Sequence, residues 1–199
     1  MKIVCFDLEG TLVPEFWEEL SKATGIKELM LTTKDEPDYD KLMKMRIKIL
    51  KEQKLKIQDV QKLASKMEPY PGAREFIDWV KTKAQVCIIT SSYYEYITPV
   101  VEKLGSPFMI ASSLEITPDG TITNYKLRGK DGKIEQVNRF KELGFEVIAV
   151  GDSLNDVKML KGANTGILFR ACSALKKQEP NLSKAENYTE LKRILEKLL

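Results

Sequence analysis

The sequence predicts an α/β protein, with a parallel sheet covered by helices on both faces and a small helical insertion after the first strand. Two observations lead to this prediction. From residue 71 onward, short apolar runs typical of buried strands alternate with helical patterns, which favours parallel strands joined by helical crossovers. Between residues 14 and 70, helical patterns follow one another without an intervening strand. At 199 residues and 43% hydrophobic, the chain is long enough for one core with a modest insertion.

The first strand and the insertion occupy the N-terminal part of the chain. Residues 2–6 form a β-branched and aromatic run that stops at Asp-Leu-Glu-Gly, which indicates a buried strand ending at a glycine loop. Residues 14–24 carry aromatic and leucine side chains on one side and precede a glycine, which indicates a helix. Residues 37–69 repeat apolar residues at helical spacing twice, which predicts two more helices. The predicted division is a core domain of residues 1–13 and 71–199 and a helical cap domain of residues 14–70.

The rest of the chain alternates between strand and helix patterns. The predicted strands are residues 85–90, 108–110, 146–150 and 165–169. The predicted helices are residues 73–81, 93–104, 131–143, 154–160 and 189–198. Residues 114–127 have Pro-Asp-Gly at their centre, which predicts a hairpin.

The composition excludes several classes of function. The chain contains no histidine, which excludes a Ser-His-Asp triad, a Cys-His dyad and a phosphohistidine intermediate, and argues against zinc catalysis. The net charge is only +3 and Lys and Glu mix along the helices, so we expect no nucleic-acid partner. No apolar stretch reaches the length of a membrane span. The three widely spaced cysteines and the absence of a signal-peptide pattern favour a cytoplasmic protein without disulfides.

Polar residues follow the ends of three predicted strands. Asp7 and Glu9 come after the last apolar residue of the first strand, and Thr90 and Ser91 come after the last apolar residue of the second. Asp152 follows the strand at residues 146–150. Because ligands bind beyond the carboxyl ends of the strands in an open α/β sheet, we expect these side chains to share one crevice.

The residue types in this crevice indicate chemistry on a phosphoryl group. Asp7 and Glu9 lie two residues apart and, with Asp152, supply the hard oxygen ligands that suit Mg²⁺. Without histidine, a carboxylate is the strongest nucleophile candidate, so Asp7 is predicted to form an aspartyl phosphate. Glu9 would act as general acid and base. Thr90, with main-chain N–H groups near Ser91, would hold phosphoryl oxygens.

A lysine would complete the charge balance of this site. Lys133 lies at the start of a predicted helix and is the best-placed candidate, with Lys130 as the alternative. Asn155 and Asp156 lie on the first turn of another predicted helix, where they can support the loop or the water shell of the metal. We include Asn155 among the candidates for substrate binding.

These segments resemble a known family. Asp-Leu-Glu-Gly-Thr from Asp7, then Thr90, Lys133 and Gly-Asp-Ser-Leu-Asn-Asp from Gly151, resemble in order the four motifs of the haloacid dehalogenase superfamily, whose core is Rossmann-like. The resemblance extends over the whole chain. The helical insertion is similar to the cap of the phosphoserine phosphatase branch. Further stretches, among them Leu127-Arg128, look like the bifunctional phosphoserine phosphatase and homoserine phosphotransferase group.

The resemblance implies roles for particular residues. It implies that Asp7 is the nucleophile, that Glu9 is the acid and base, and that Mg²⁺ is held by Asp7, the Glu9 carbonyl and Asp152. It also implies that Glu15 contacts the amino group and Arg46 the carboxylate of the substrate. The implied activity is hydrolysis of O-phospho-L-serine by a monomer or homodimer, and the resemblance also allows transfer of the phosphoryl group to homoserine.

Two departures from the superfamily pattern bear on the activity. Glu9 stands where aspartate is more common, and our hypothesis is that this longer side chain slows hydrolysis of the aspartyl phosphate and lets an alcohol compete with water. Thr90-Ser91-Ser92 replaces a loop that carries glycine in strict phosphoserine phosphatases.

Two alternative functions remain open at the level of sequence. The first is a phosphatase with the same mechanism that acts on another small phosphomonoester. The second is a non-enzymatic receiver module, which also uses an aspartate, Mg²⁺, a threonine and a lysine. The position of Asp7 on the first strand, ahead of a helical insertion, argues against a receiver.

Overall fold

A computed structural model of the chain describes residues 1–32, 35–36, 38–129 and 132–199. Lys130, the alternative candidate for the catalytic lysine, and the predicted helix start at residue 131 lie outside the described residues. Pro37, the first residue of the helical pattern predicted at residues 37–69, also lies outside the described residues.

The described residues contain strands and helices in alternation after the insertion. The strands are β1 (Lys2–Phe6), β2 (Gln85–Tyr93), β3 (Phe108–Ile116), β4 (Ile122–Lys126), β5 (Glu146–Gly151), β6 (Thr165–Phe169) and β7 (Ser183–Ala185). The helices are α1 (Phe16–Thr24), α2 (Tyr39–Glu52), α3 (Ile57–Ala64), α4 (Ala73–Lys81), α5 (Tyr94–Lys103), α6 (Lys133–Glu142), α7 (Val157–Gly162), α8 (Ser173–Gln178) and α9 (Tyr188–Leu195). Short 3₁₀ turns occur at Lys27–Met30 and Leu154–Asp156.

The strands form one sheet in the order β4-β3-β2-β1-β5-β6-β7. Neighbouring strands are parallel except for the antiparallel pair of β3 and β4. The first strand lies at the centre, between β2 and β5, so the carboxyl ends of these three strands meet at one edge of the sheet. The prediction of an α/β fold with a parallel sheet is confirmed.

The central strand is buried on both faces, which explains its uninterrupted apolar sequence. Val4 and Phe6 pack into the core on one face of the sheet. Ile3 and Cys5 pack into the core on the other face. Successive side chains of a strand point to opposite faces of the sheet. Because helices cover both faces, the successive side chains of this strand from Ile3 to Phe6 are buried and apolar.

The described residues of the insertion at 14–70 form helices and a 3₁₀ turn, and no strand lies among them. Asp38 begins α2, because its side chain accepts hydrogen bonds from the main-chain N–H groups of Asp40 and Lys41. The insertion contacts the hairpin of β3 and β4, since the N–H of Ile57 donates to the carbonyl of Gly120 over 2.9 Å. The division of the chain into two domains stays a prediction.

The structure differs from the sequence-based prediction at three places. The predicted strand at residues 108–110 and the first arm of the predicted hairpin are one strand, β3, because pairing with β2 resumes at Ser112. The helix α8 and the strand β7 were not predicted, because both are short and mostly polar. The helix predicted at residues 154–160 begins as a 3₁₀ turn. Among the described residues, no helix combines the length and the hydropathy needed to cross a membrane.

Candidate active site

Asp7 lies at the point where β1 ends. Its N–H donates to the carbonyl of Val150 over 2.9 Å, which ties it to β5. Its Oδ1 accepts hydrogen bonds from the N–H of Leu8 over 2.7 Å and from Nζ of Lys133 over 2.6 Å. The side chain is buried, so the carboxylate is held in one orientation at the centre of the sheet edge.

The chain turns sharply after Asp7, and this turn requires glycine. Gly10 has a φ of 76°, in the left-handed region, and its N–H donates to the carbonyl of Val13 over 2.9 Å. A Cβ at Gly10 would lie 2.5 Å from Oδ2 of Asp152. A larger residue here would therefore displace the Asp152 carboxylate.

Asp156 shapes the loop that presents Asp152. Its Oδ2 accepts hydrogen bonds from the N–H of Asp152 over 3.1 Å, and from the N–H and the hydroxyl of Ser153 over 3.0 Å and 2.9 Å. Its Oδ1 accepts from Nζ of Lys133 over 2.5 Å. Asp156 is completely buried, so it orients the loop and the lysine rather than a substrate.

Lys133 lies between two buried carboxylates. It is the first residue of α6 and its ammonium bridges Asp7 and Asp156. Burial alone would lower the pKa of Lys133, but the charges and hydrogen bonds of these two aspartates outweigh burial and raise its pKa above the ordinary value. The lysine is therefore a permanent cation beside Asp7.

Even with this lysine, the site has an excess of negative charge. Carboxylate oxygens of Asp7, Asp152 and Asp156 lie within 4.8 Å of one another. Burial, followed by the charge of Asp156, raises the pKa of Asp7 well above its usual range and that of Asp152 to about 6. A cation between these carboxylates would relieve the repulsion.

The donor set fits a hard divalent cation, since it consists of carboxylate oxygens. Both oxygens of Asp156 already accept hydrogen bonds from the loop and from Lys133. Asp7 and Asp152 are therefore the side chains suited to hold an ion, and Asp156 supports them.

Glu9 is held from two sides. Its Oε1 accepts a hydrogen bond from the N–H of Phe16, the first residue of α1, over 2.8 Å. Its Oε2 accepts from the hydroxyl of Ser92. Burial raises the pKa of Glu9, and these two hydrogen bonds oppose the rise. The carboxylate is thus positioned both by the insertion and by the end of β2.

Thr90 lies where the pairing of β2 with β3 becomes irregular. The register shifts between Ile89 and Tyr93, so the residues between them leave the regular ladder. The Thr90 side chain is buried, and its hydroxyl oxygen accepts a hydrogen bond from the N–H of Ser92 over 3.0 Å. Ser91 is exposed on the wall of the pocket.

The insertion supplies further residues of the pocket. The guanidinium of Arg46 lies 4.4 Å from the centre of the Trp17 ring and donates from Nη2 to the carbonyl of Leu31 over 2.7 Å. Arg46 is buried, and its Nε has no hydrogen-bond partner among the residues described. Glu15 is exposed at the N-terminal end of α1.

The described residues to which the sequence analysis assigns a catalytic, metal-binding or substrate-binding role line one pocket of about 300 Å³. They are Asp7, Glu9, Glu15, Arg46, Thr90, Ser91, Lys133, Asp152 and Asn155. The prediction that Asp7, Glu9, Thr90, Ser91 and Asp152 share one crevice agrees with this placement, and their roles stay predictions.

Several contacts of the site are not evident from the sequence. Ser92 and the ring-bearing residues Trp17 and Tyr39 also line the pocket. Asp156 was expected only to support the loop or the water shell, whereas it also fixes Lys133. The neighbours of these residues in the sequence were recognised, but the contacts depend on the folded loops.

Comparison with known proteins identifies the class to which this fold and site belong. A model of the haloacid dehalogenase-like hydrolase family matches residues 1–164. Because the match covers most of the chain, the protein belongs to this family, as the resemblance of its motifs predicted.

Within the family, the chain is similar to phosphoserine phosphatases. It is 44% identical over 193 residues to phosphoserine phosphatase ThrH of Pseudomonas aeruginosa, covering 97% of this chain and 94% of that one. It is 42% identical to a phosphoserine phosphatase of Pseudomonas syringae pv. tomato, covering 97% and 81% of the two chains. A solved phosphoserine phosphatase, described as a phospho-aspartyl intermediate analogue, superposes with a TM-score of 0.78 at 25% identity, covering 98% and 97% of the chains. The predicted branch of the family is confirmed.

Proposed function

We propose that this protein is a magnesium-dependent phosphatase that hydrolyses O-phospho-L-serine through a phosphoryl group carried on Asp7. The observation that carries the proposal is the pocket itself, which brings Asp7 and Lys133 together with Arg46 and Glu15. In the proposed complex, Lys133 complements the phosphate, Arg46 the carboxylate and Glu15 the ammonium group of the substrate. The relatives at 44% and 42% identity are phosphoserine phosphatases.

Asp7 is oriented for attack on phosphorus. Its Oδ1 accepts the hydrogen bonds from Leu8 and Lys133, so we assign the attack to Oδ2. The bond from Oδ2 to phosphorus forms as the bond between phosphorus and the serine oxygen breaks. In the second step water attacks phosphorus, and the bond to Oδ2 breaks to release inorganic phosphate.

Glu9 moves the proton in both steps. It donates a proton to the departing serine oxygen and later accepts one from the attacking water. Ser92 can stay hydrogen bonded to Glu9 throughout, because Oε2 keeps a lone pair for the Ser92 hydroxyl whether Glu9 is ionised or carries the proton that it transfers. The N–H of Phe16 holds the other oxygen of the same carboxyl group.

Asp7, Asp152 and the Glu9 carbonyl are the groups proposed to hold Mg²⁺. The ion supplies positive charge that neutralises the phosphoryl oxygens and the two carboxylates. Lys133 adds a second positive charge beside Asp7, and Thr90 holds a further phosphoryl oxygen with the N–H groups that follow it.

Arg46 and Glu15 select the amino acid end of the substrate. The Arg46 guanidinium is pre-oriented by Trp17 and by the carbonyl of Leu31, which suits a substrate carboxylate. Partial burial in the pocket, followed by the charge of Glu9, raises the pKa of Glu15 to about 8. The ammonium group of a bound substrate would lower that pKa again, so Glu15 is proposed to carry its negative charge when it contacts this group. The substrate preference, the transfer to homoserine, the monomeric or dimeric state, the absence of a nucleic-acid partner and the cytoplasmic location remain proposals.

The deciding experiment measures phosphate release from O-phospho-L-serine against a panel of sugar phosphates, with Mg²⁺ and with a chelator. We expect many turnovers per chain, a preference for phosphoserine and a loss of activity in Asp7→Asn, with Asp78→Asn as a surface control. Equal rates on sugar phosphates would favour the broader phosphatase, and a single turnover would favour a receiver. A parallel reaction with homoserine, followed by the appearance of O-phosphohomoserine, measures transfer against hydrolysis.

A further inference from the structure

The segment that carries Thr90 is an irregularity in the sheet. Ile89 pairs with Ile110, and the next pair is Tyr93 with Ser112. Three residues of β2 therefore lie opposite the single residue between Ile110 and Ser112. An insertion of this kind directs side chains away from the strand direction, but it also removes main-chain groups from the ladder. Buried carbonyls that lose their partners need other donors.

Arg128 supplies those donors. Its Nη1 donates to the carbonyl of Thr90 over 2.5 Å and to the carbonyl of Ile110 over 3.0 Å. These carbonyls belong to the two strands at the position where their register breaks. The Nε of Arg128 is buried and has no hydrogen-bond partner in the described part of the chain, so the guanidinium is inserted between the strands rather than lying in solvent.

The contact with the Thr90 carbonyl has a consequence for the pocket. The peptide group that joins Thr90 to Ser91 is planar and trans, so fixing its carbonyl also fixes the N–H of Ser91, which points the opposite way. Thr90 and Ser91 both line the pocket, whereas Arg128 is not among the residues that line it. Arg128 thus affects the pocket indirectly, through its hydrogen bond to the Thr90 carbonyl.

We propose that Arg128 is a positioning residue for phosphoryl transfer, which holds the Thr90–Ser91 peptide so that the Thr90 hydroxyl and the N–H of Ser91 face the phosphoryl oxygens. This inference rests on the proposed function of the same site. A side chain in this place needs two hydrogens on one nitrogen, directed at two carbonyls on neighbouring strands, and arginine provides them in a rigid plane.

The test separates a positioning role from a merely structural one. The variants are Arg128→Met, which removes the donors, and Arg128→Lys, which keeps a donor, each made in the wild-type and the Thr90→Ala backgrounds. Arg74→Met is the matched control, because Arg74 also donates to a main-chain carbonyl, that of Lys103, but lies on the surface away from the pocket. The measurements are kcat/KM for phosphoserine and the dissociation constant of inorganic phosphate in the presence of Mg²⁺.

Arg128→Met should lower kcat/KM by about 10- to 100-fold and weaken phosphate binding. A shift of about 1 Å in a group that positions the substrate can lower the rate by about 100-fold. Arg128→Lys should recover most of the loss. In the Thr90→Ala background the same substitution should have an effect of less than about twofold, because the group it positions is gone. The control should match the wild type.

Equal losses in both backgrounds would overturn the inference, because Arg128 would then act independently of Thr90. An effect of Arg128→Met no larger than that of Arg74→Met would overturn it as well. Phosphate binding needs no turnover, so the cycle measured with phosphate tests Arg128 even if the wild-type protein fails to hydrolyse phosphoserine. That failure would count against the proposed function alone.

Discussion

Removing divalent cations should make the free energy of unfolding decrease as the pH rises from about 4 to about 7. The cause is the acidic cluster. Burial, followed by the charge of Asp156, raises the pKa of Asp152 in the folded protein from 3.8 to about 6. Between these values the folded protein retains a proton that the unfolded chain has lost. Stability is therefore greatest below the unfolded pKa and is lost as the pH rises through the folded pKa.

The magnitude follows from the difference of about two pKa units. At 1.36 kcal/mol per unit, ionising Asp152 in the metal-free protein costs about 3 kcal/mol. Domains are stable by about 5–15 kcal/mol, so this cost is a large fraction of the total. The pKa of Asp7 is raised for the same reasons, burial first and then Asp156, and it extends the decline to higher pH.

Urea unfolding at a series of pH values, with a chelator or with excess Mg²⁺, measures this effect. The variant Asp152→Asn isolates it, because the amide keeps the shape of the side chain and removes the charge. In the chelator, we expect this variant to be more stable than the wild type by about 3 kcal/mol at neutral pH and equally stable near pH 4. Mg²⁺ should stabilise the wild type more than the variant. Asp78→Asn, an exposed carboxylate on α4, serves as the control.

The reasoning fails if Asp152→Asn and the wild type have the same pH dependence in the chelator. It fails equally if the wild type becomes more stable between pH 5 and pH 7 while Asp152→Asn does not. Either result would mean that burial and the charge of Asp156 do not raise the pKa of Asp152 in the metal-free protein.

Three further predictions concern single side chains. Lys133→Met leaves two buried carboxylates without their cation, so it should abolish turnover and lower the free energy of unfolding by about 3–5 kcal/mol. Thermal or urea unfolding measures this loss, and the surface variant Lys161→Met should show neither effect. Ser92→Ala removes one hydrogen bond to Glu9, so kcat should fall about tenfold with KM unchanged. A loss of kcat as large as that of Glu9→Gln would contradict the idea that Ser92 only orients Glu9. Arg46→Met should raise KM for phosphoserine by about 10- to 100-fold but leave hydrolysis of phosphoethanolamine, which lacks a carboxylate, unaffected. Equal effects on both substrates would remove Arg46 from carboxylate recognition.

The sequence predicted the centre of the site because the relevant geometry is a property of parallel sheets. Asp7 and Asp152 each follow the last apolar residue of a buried strand, and those strands are neighbours in the sheet. Once the alternation of strands and helices is recognised, the meeting of these side chains follows from the direction of the strands alone. The sequence patterns of the strands are clear because both faces of the sheet are buried.

The sequence did not predict contacts that depend on main-chain irregularity. Arg128 follows the hairpin, and the sequence marks it only as part of a stretch, Leu127-Arg128, that carries the family resemblance. Its partners are the carbonyls of Thr90 and Ile110, which become available only because the register of two strands shifts in the folded sheet. The same irregularity explains why β3 was predicted as two separate segments.

In the proposed mechanism, the position of Glu9 gives the insertion a part in the chemistry as well as in substrate selection. One oxygen of its carboxylate is held by the first N–H of α1, within the insertion, and the other by Ser92, at the end of β2. The free N–H groups at the start of a helix favour a negative charge, and burial opposes one, so the protonation of Glu9 depends on where α1 lies. A movement of the insertion that opened the pocket would lengthen the contact with Phe16. The proposed mechanism therefore links two events through the helices of the insertion: binding of the amino acid end of the substrate by Arg46, and orientation of Glu9 as the acid that protonates the serine oxygen.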